Sequence, residues 1–84
     1  MLEEVIMTEI QNVIRQHDKI YAFMYGFRED NLNHIISIDV AELHFPPTNI
    51  SMIYVWGGPG PDYSTYYFED YGKTWAYTKE ELIH

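Results

Sequence analysis

The hydrophobic period of this chain changes once, from a helical repeat to a strand repeat, and no helical stretch returns between the strands. Residues 2–16 place apolar side chains three and four positions apart, which predicts an amphipathic α-helix. From residue 20 onward, short stretches alternate in the manner of strands. Because no helix separates consecutive strands, we expect an α+β domain in which the helix covers one antiparallel meander of four or five strands. The apolar helix positions are Leu2, Val5, Ile6, Ile10, Val13 and Ile14.

Turn-forming and proline residues divide the rest of the chain into strand candidates. Gly72-Lys73 is typical of a turn or bulge, after which a short segment extends the sheet. Thr78-Lys79-Glu80-Glu81 fits a capping box and predicts a short C-terminal helix. The strand candidates cover residues 20–27, 34–45, 50–56, 63–71 and 74–77.

The length of 84 residues and the absence of cysteine limit how the chain is stabilised. This length allows one domain, spanning residues 1–84, with a core near the lower size limit for a fold without covalent or metal cross-links. Neither disulfides nor a cysteine-based zinc site is available. Stability must therefore come from the aromatic residues, which make up 17% of the chain, and from any oligomerisation.

The formal net charge of −8 restricts the partners that this chain can bind. Phosphate contacts require clustered Lys and Arg, so we expect no direct binding to nucleic acid and no binding to an anionic membrane surface. The acidic start and the lack of a long apolar run predict a cytoplasmic protein. A partner protein with a basic, nucleic-acid-binding surface fits the charge best.

The loop Gly57-Gly58-Pro59-Gly60-Pro61 lacks the Lys and the following helix of a phosphate-binding loop, so a tight connection is the better interpretation. Aromatic residues flank it, and they form either a contact surface or the small core. The four histidines have no metal-ligand spacing, and we expect neither a metal nor a cofactor.

Carboxylates could serve two purposes in this chain. Acid–base catalysis is disfavoured because no nucleophile–base pair accompanies them, and we expect no enzyme activity. Mimicry of nucleic acid is the alternative. Alternate residues of a β-strand lie about 6.7 Å apart, and successive phosphates on one DNA strand lie about 3.4 Å apart along the axis, so carboxylates on a strand can approximate a row of phosphates. Acidic residues also occur without either role on ordinary solvated strand edges, where their charge prevents aggregation.

The C-terminal run from Tyr66 to Leu82, with Phe68-Glu69-Asp70-Tyr71-Gly72-Lys73-Thr74 followed by Thr78-Lys79-Glu80-Glu81, resembles the ending of many small uncharacterised bacteriophage and prophage proteins. The resemblance implies an origin in a mobile element of a Gram-positive host. Small acidic proteins of this kind are often inhibitors of host enzymes or of host defence, including anti-CRISPR proteins.

The sequence therefore predicts a non-catalytic acidic inhibitor, phage-encoded and acting in the host cytoplasm on a nucleic-acid-handling or defence protein. Two alternatives stay open: a homo-oligomeric module that sequesters a nucleotide signal, for which Arg28, Lys73 and Lys79 would have to converge, and a phage structural or assembly protein. The predicted partner-binding acids are Glu29, Asp30, Asp39, Glu42, Asp62, Glu69 and Asp70, and the predicted aromatic anchors are Tyr54, Trp56, Tyr63 and Tyr66.

Overall fold

A computed structural model describes residues 2–47, 51–56 and 63–83, and within these ranges one α-helix precedes five strands. The predicted α+β class is confirmed, because the helix packs on antiparallel sheets. The elements are α1 (Leu2–Arg15), β1 (Lys19–Phe23), β2 (Ile35–Asp39), β3 (Met52–Trp56), β4 (Tyr63–Tyr67) and β5 (Trp75–Ala76).

The helix α1 uses only part of its apolar surface to cover the sheets. Ile14 is fully buried, and Met7 and Ile10 pack against the same core. Just beyond the C-terminal end of α1, the Nδ1 atom of His17 lies 2.9 Å from the carbonyl oxygen of Val13. This contact adds a hydrogen bond to a carbonyl group of the last helical turn. A second apolar stripe stays in contact with solvent, and its described members are Val5, Ile6 and Val13.

The first sheet has three antiparallel strands in the order β2-β1-β5. β1 lies in the centre, where Ala22 is opposite Ile36 of β2 on one side and opposite Trp75 of β5 on the other. In β2, the predicted alternation is confirmed, since Ile38 is buried while Ser37 is exposed.

β1 ends at Phe23, before its predicted end at Phe27. The two residues Tyr25 and Gly26 have φ angles of 68° and 83°, which a strand cannot contain, and the chain turns through a short 3-10 helix there. A Cβ atom on Gly26 would lie 2.8 Å from the carbonyl oxygen of Thr65 in β4. This glycine therefore lets the turn pack directly against the second sheet.

Among the described residues, the second sheet has two strands, β3 and β4, with Trp56 opposite Tyr63 at one end and Met52 opposite Tyr67 at the other. The prediction of a single meander is wrong, because β5 pairs with β1 and not with β4. β4 is also shorter than predicted, since a 3-10 helix, Phe68–Asp70, directly follows Tyr67 and redirects the chain.

The predicted second strand, residues 34–45, is likewise interrupted. β2 ends at Asp39, and a 3-10 helix, Val40–Glu42, follows it. This turn brings Leu43 into the core and places His44 beside Tyr54 of β3. The two sheets therefore meet across the segment that follows β2.

One apolar core joins α1 to both sheets. Trp75 and Tyr66 are its largest fully buried side chains. The Trp75 indole N–H donates to the carbonyl oxygen of Tyr67 at 2.8 Å, and the Phe23 N–H donates to that of Thr74 at 2.8 Å. Burial of each large apolar side chain stabilises the fold by about 1.5–3 kcal/mol. The buried indole and these two hydrogen bonds together hold β5 in its place beside β1. The other members of this core are Ile14, Ile20, Ala22, Ile38, Leu43, Ile53, Val55 and Phe68.

The C-terminal segment is a 3-10 helix, Glu80–Leu82, where the capping box predicted a short helix. The Thr78 hydroxyl donates to the Glu81 carboxylate at 2.8 Å, and the Tyr71 hydroxyl also donates to that carboxylate. These two donors lower the pKa of Glu81. Leu82 is fully buried against Phe23, Ile35 and Ala76 in a second, smaller core cluster.

Within the described ranges, no helix combines the length and the apolar character that crossing a membrane requires.

Candidate functional site

The outer face of the β3-β4 sheet carries aromatic side chains that the core does not use. Strand alternation buries Ile53 and Val55 and directs Tyr54 and Trp56 to the other face. Tyr63 of β4 lies directly opposite Trp56. Trp56 and Tyr63 are 52% and 54% exposed, so two of the predicted anchors lie on the surface.

These rings form one connected group, which we call the aromatic cluster: His44, Tyr54, Trp56 and Tyr63. The Trp56 and Tyr63 rings meet edge to face with centroids 4.3 Å apart, and Tyr54 meets Tyr63 in the same way at 5.1 Å. The His44 imidazole stacks on Tyr54 at 4.8 Å. Such contacts stabilise a pair by about 0.5–1.5 kcal/mol beyond area burial, so each ring favours the position of its neighbour.

The backbone ladder explains why the rings approach so closely. His44 and Tyr54 exchange both backbone hydrogen bonds, at 2.8 and 3.1 Å. The Tyr54 amide and carbonyl therefore point away from β4, and by alternation those of Trp56 do so as well. Trp56 and Tyr63 are consequently a non-hydrogen-bonded pair, in which facing side chains lie closest.

A groove of two adjoining hollows lies beside the aromatic cluster. The first has a volume of about 210 Å³ and the second about 470 Å³, and both are lined by Glu42, Val55 and Trp56. His44 completes the second hollow. The first hollow extends between the sheets, and its remaining lining residues are Met24, Tyr25, Ile36, Ser37, Ile38, Ser64 and Tyr66.

Tyr25 also belongs to this site, although the sequence did not predict it. It lines the groove with a 58% exposed side chain, and its φ of 68° is unusual for a residue other than glycine. A left-handed conformation costs an aromatic residue about 1–2 kcal/mol. The only available signal was the Tyr25-Gly26 pair inside a predicted strand, where a glycine often marks a bend.

Two of the predicted acidic residues lie at or near the groove. Glu42 lines both hollows, and it is the one acidic side chain among the described lining residues. Asp39 is exposed at the end of β2, directly opposite Lys19 of β1. The described lining residues of both hollows include neither Lys nor Arg. The groove is therefore acidic and apolar.

The other predicted acids are not brought to this site. Glu29 contacts the His34 ring, and Asp30 lies next to it in the connection between β1 and β2. Glu69 and Asp70 lie in the 3-10 helix that follows β4, beyond the far end of the sheet from Trp56, a separation of about 14 Å along the strands. Asp62 and the glycine-rich loop 57–61 lie outside the described residues. The described acidic residues therefore do not form the row of carboxylates that mimicry of nucleic acid would require.

The prediction of Tyr66 as a surface anchor is wrong. Its side chain is fully buried, and its hydroxyl donates to the carbonyl oxygen of Phe23 at 2.6 Å. Burial raises the pKa of Tyr66 to about 12, although hydrogen bonds with Ser64 and the Gly26 backbone oppose this shift. Tyr66 thus links β4 to the end of β1 and is a structural residue.

Arg28, one of three cations that nucleotide sequestration would require, is already engaged within the chain. Its guanidinium donates to the carbonyl oxygens of Leu82 at 3.1 Å and Lys73 at 3.2 Å. It also lies 5.2 Å from the centroid of the Phe23 ring. These contacts tie one guanidinium nitrogen to the C-terminal segment, so a phosphate would have to compete with two carbonyl oxygens for it.

The described histidines have separate surroundings. His17 stacks on Tyr77 at 4.0 Å, His34 contacts Glu29, and His44 belongs to the aromatic cluster. Over residues 2–47, 51–56 and 63–83, no three His, Asp or Glu side chains are grouped so that they could hold a metal ion.

Comparisons of this chain with protein-family models, with curated proteins and with solved structures find no match.

Proposed function

We propose that this protein is a non-catalytic acidic inhibitor, encoded by a bacteriophage or prophage, that blocks a host nucleic-acid-handling or defence protein in the cytoplasm. An anti-CRISPR protein is the kind of inhibitor that fits this description. The partner would present a basic surface, and the inhibitor would occupy it in place of nucleic acid. The phage origin rests on the C-terminal resemblance alone.

The observation that carries the proposal is the exposed pair Trp56–Tyr63 beside Glu42, on a chain with a net charge of −8. Binding energy at protein interfaces is concentrated in a few aromatic and charged residues surrounded by weaker contacts. Trp and Tyr are prominent among such residues because each has an apolar ring and a polar group. The rings are held by each other and by the ladder, so little side-chain freedom is lost on binding.

The acidic residues of the site are fewer in the structure than the sequence predicted. Among the acids that the structure describes, Glu42 is the one that lines the groove, while Glu29, Asp30, Glu69 and Asp70 are elsewhere on the described surface. The proposal therefore assigns affinity mainly to the aromatic cluster and Glu42. The remaining acids contribute a general field that speeds association and weakens with salt.

The proposal is tested by capture of a partner from a nuclease-treated lysate of a Gram-positive bacterium. Tagged wild-type protein, Trp56→Ala and Glu42→Lys are compared in low and high salt. The matched control is Glu80→Lys, which changes the net charge equally at an exposed position of the C-terminal 3-10 helix. Captured proteins are identified by mass spectrometry and tested for nucleic-acid binding with and without the inhibitor.

We expect one basic nucleic-acid-binding protein to be captured by the wild type and by Glu80→Lys, to be lost with the other two variants, and to leave in high salt. Its nucleic-acid binding should be blocked by the wild type. Capture that is equal for all variants, or a captured protein whose activity is unaffected, would contradict the proposal.

Self-association is the second candidate function, and the uncovered stripe of α1 favours it. Val5, Ile6 and Val13 are 56%, 47% and 43% exposed on one helix. Exposed apolar patches of this type are typical of interaction sites. A mass that rises with concentration in light scattering, and that Val13→Lys returns to the monomer, would support an assembly protein.

A further inference from the structure

Within residues 2–47, 51–56 and 63–83, β2 is an edge strand, and its unpaired edge borders the groove. In the order β2-β1-β5, β2 pairs with β1 on one side only. The first hollow is lined by the successive residues Ile36, Ser37 and Ile38. Successive side chains of a strand point to opposite faces, so a hollow that touches all three follows the edge of the strand and not one face.

The hydrogen-bond pattern shows which backbone groups point to that edge. The Val40 N–H donates to the carbonyl oxygen of Asp18 at 2.9 Å, and the Phe23 N–H donates to that of Thr74, on the β5 side of β1. By antiparallel alternation, Ile38 and Ile20 exchange hydrogen bonds, while Ser37 and Tyr21 do not. The N–H and C=O of Ser37 therefore point away from β1 and toward the groove.

The walls of the groove suit an extended segment that has apolar and basic side chains. Ile36, Ile38 and Val55 supply apolar surface beside the strand edge. Trp56 and Tyr25 supply exposed rings, which attract a Lys or Arg side chain placed over their faces. Glu42 supplies the opposite charge, and the described lining residues include neither Lys nor Arg.

Charge also distinguishes the two kinds of chain that could cover this edge. A second copy of the protein would bring together two molecules that each carry a net charge of −8, with Glu42 and Asp39 near the contact. Like charges across an interface are unfavourable, whereas a basic segment gains from the same field. The charge therefore favours a basic partner over self-pairing.

We infer that the groove binds an extended basic segment of the partner protein, which adds a strand to β2 through the backbone of Ser37 and places a basic side chain between Glu42 and Trp56. This inference rests on the proposed function for the identity of the partner. Strand addition provides affinity through main-chain hydrogen bonds and selectivity through alternate side chains.

The test uses a fluorescein-labelled synthetic peptide of alternating arginine and valine, with binding measured by fluorescence anisotropy. Ser37→Pro removes the outward N–H, and proline is tolerated on an edge strand. Ser37→Ala is the matched control because it keeps both backbone groups. A peptide with N-methylated valines tests the same hydrogen bonds from the other side and does not depend on the folding of a variant.

We expect the peptide to bind the wild type and Ser37→Ala equally, and Ser37→Pro and the N-methylated peptide to bind about tenfold more weakly. Glu42→Gln should weaken binding and reduce its dependence on salt. No binding to the wild type, or equal binding with Ser37→Pro and with the N-methylated peptide, would overturn the inference. A dimer in sedimentation that Ser37→Pro abolishes would also overturn it, since a second copy would then occupy the edge.

The lysate experiment separates this inference from the proposed function. If Ser37→Pro captures and inhibits the same partner as Ser37→Ala, the proposed function holds and strand addition is wrong. If no variant captures a partner but the peptide results are as expected, the groove binds basic segments and the inhibitor proposal fails.

Discussion

Substitution of Gly26 by alanine tests whether the two sheets are joined as described. Two costs arise at this position. The φ of 83° is left-handed, which costs a residue with a Cβ about 1–2 kcal/mol. The new Cβ would also lie 2.8 Å from the Thr65 carbonyl oxygen and 3.3 Å from its nitrogen. Both are backbone atoms, so the turn or β4 must move, and overpacking of this type costs about 1–3 kcal/mol.

Gly72 provides a matched control. Its φ of 85° is nearly the same, but a Cβ at this position would meet no atom within 4 Å. Gly72→Ala should therefore show only the conformational cost. We expect the free energy of unfolding to fall by about 2–5 kcal/mol in Gly26→Ala and by about 1–2 kcal/mol in Gly72→Ala.

The assay is urea denaturation followed by far-ultraviolet circular dichroism, analysed with a common slope if the transitions are two-state. In thermal scans, each kcal/mol lowers the Tm of a domain of this size by about 4–8 °C. Equal destabilisation by the two substitutions would refute the close contact between the turn and β4. The groove would then lack the wall that this contact provides.

Three further predictions concern the described polar contacts. The folded-state pKa of Tyr66 is raised from 10.0 to about 12, so the stability that its protonated hydroxyl contributes is complete below pH 10 and is lost as the pH rises through 12. Between pH 10 and pH 12 the wild type should lose about 2 kcal/mol more stability than Tyr66→Phe in alkaline urea titrations. Arg28→Ala should lower the free energy of unfolding by about 1 kcal/mol and speed amide exchange near Leu82, because it removes both hydrogen bonds, which come from one guanidinium nitrogen; unchanged exchange would contradict this role. The pKa of Tyr71 is raised to about 12, first by desolvation and then by Glu81, so Glu81→Gln should lower it in a spectrophotometric titration of tyrosinate; an unchanged titration would show that the two groups do not interact.

Local patterns predicted the elements but not how the sheets are arranged. The apolar repeat of residues 2–16 corresponds to α1, and the alternation around Ile38 corresponds to β2. The pairing of β5 with β1 depends on burial of Trp75 between distant parts of the chain, which no local pattern records. The bend at Tyr25 could not be predicted locally either, because an aromatic residue normally favours a strand.

The candidate site was predictable where strand alternation sufficed. Tyr54 and Trp56 share a face because they are two residues apart, and both lie in the aromatic cluster. Alternation alone did not decide which face was buried, since aromatic residues occur on both faces of β4. Tyr66 lies in the core and Tyr63 lies on the surface, and the packing of β4 against the rest of the core decides between the two faces.

We propose that the surface around Trp56 and Glu42 displaces nucleic acid from a basic partner protein. The most direct measurement is a competition assay in which labelled duplex DNA, bound to the captured partner, is titrated with wild-type protein, Glu42→Lys and Glu80→Lys at increasing salt. We expect the wild type and Glu80→Lys to displace the DNA alike, and Glu42→Lys to require at least about tenfold more protein at low salt. Equal displacement by all three proteins, or displacement that does not depend on salt, would contradict the claim.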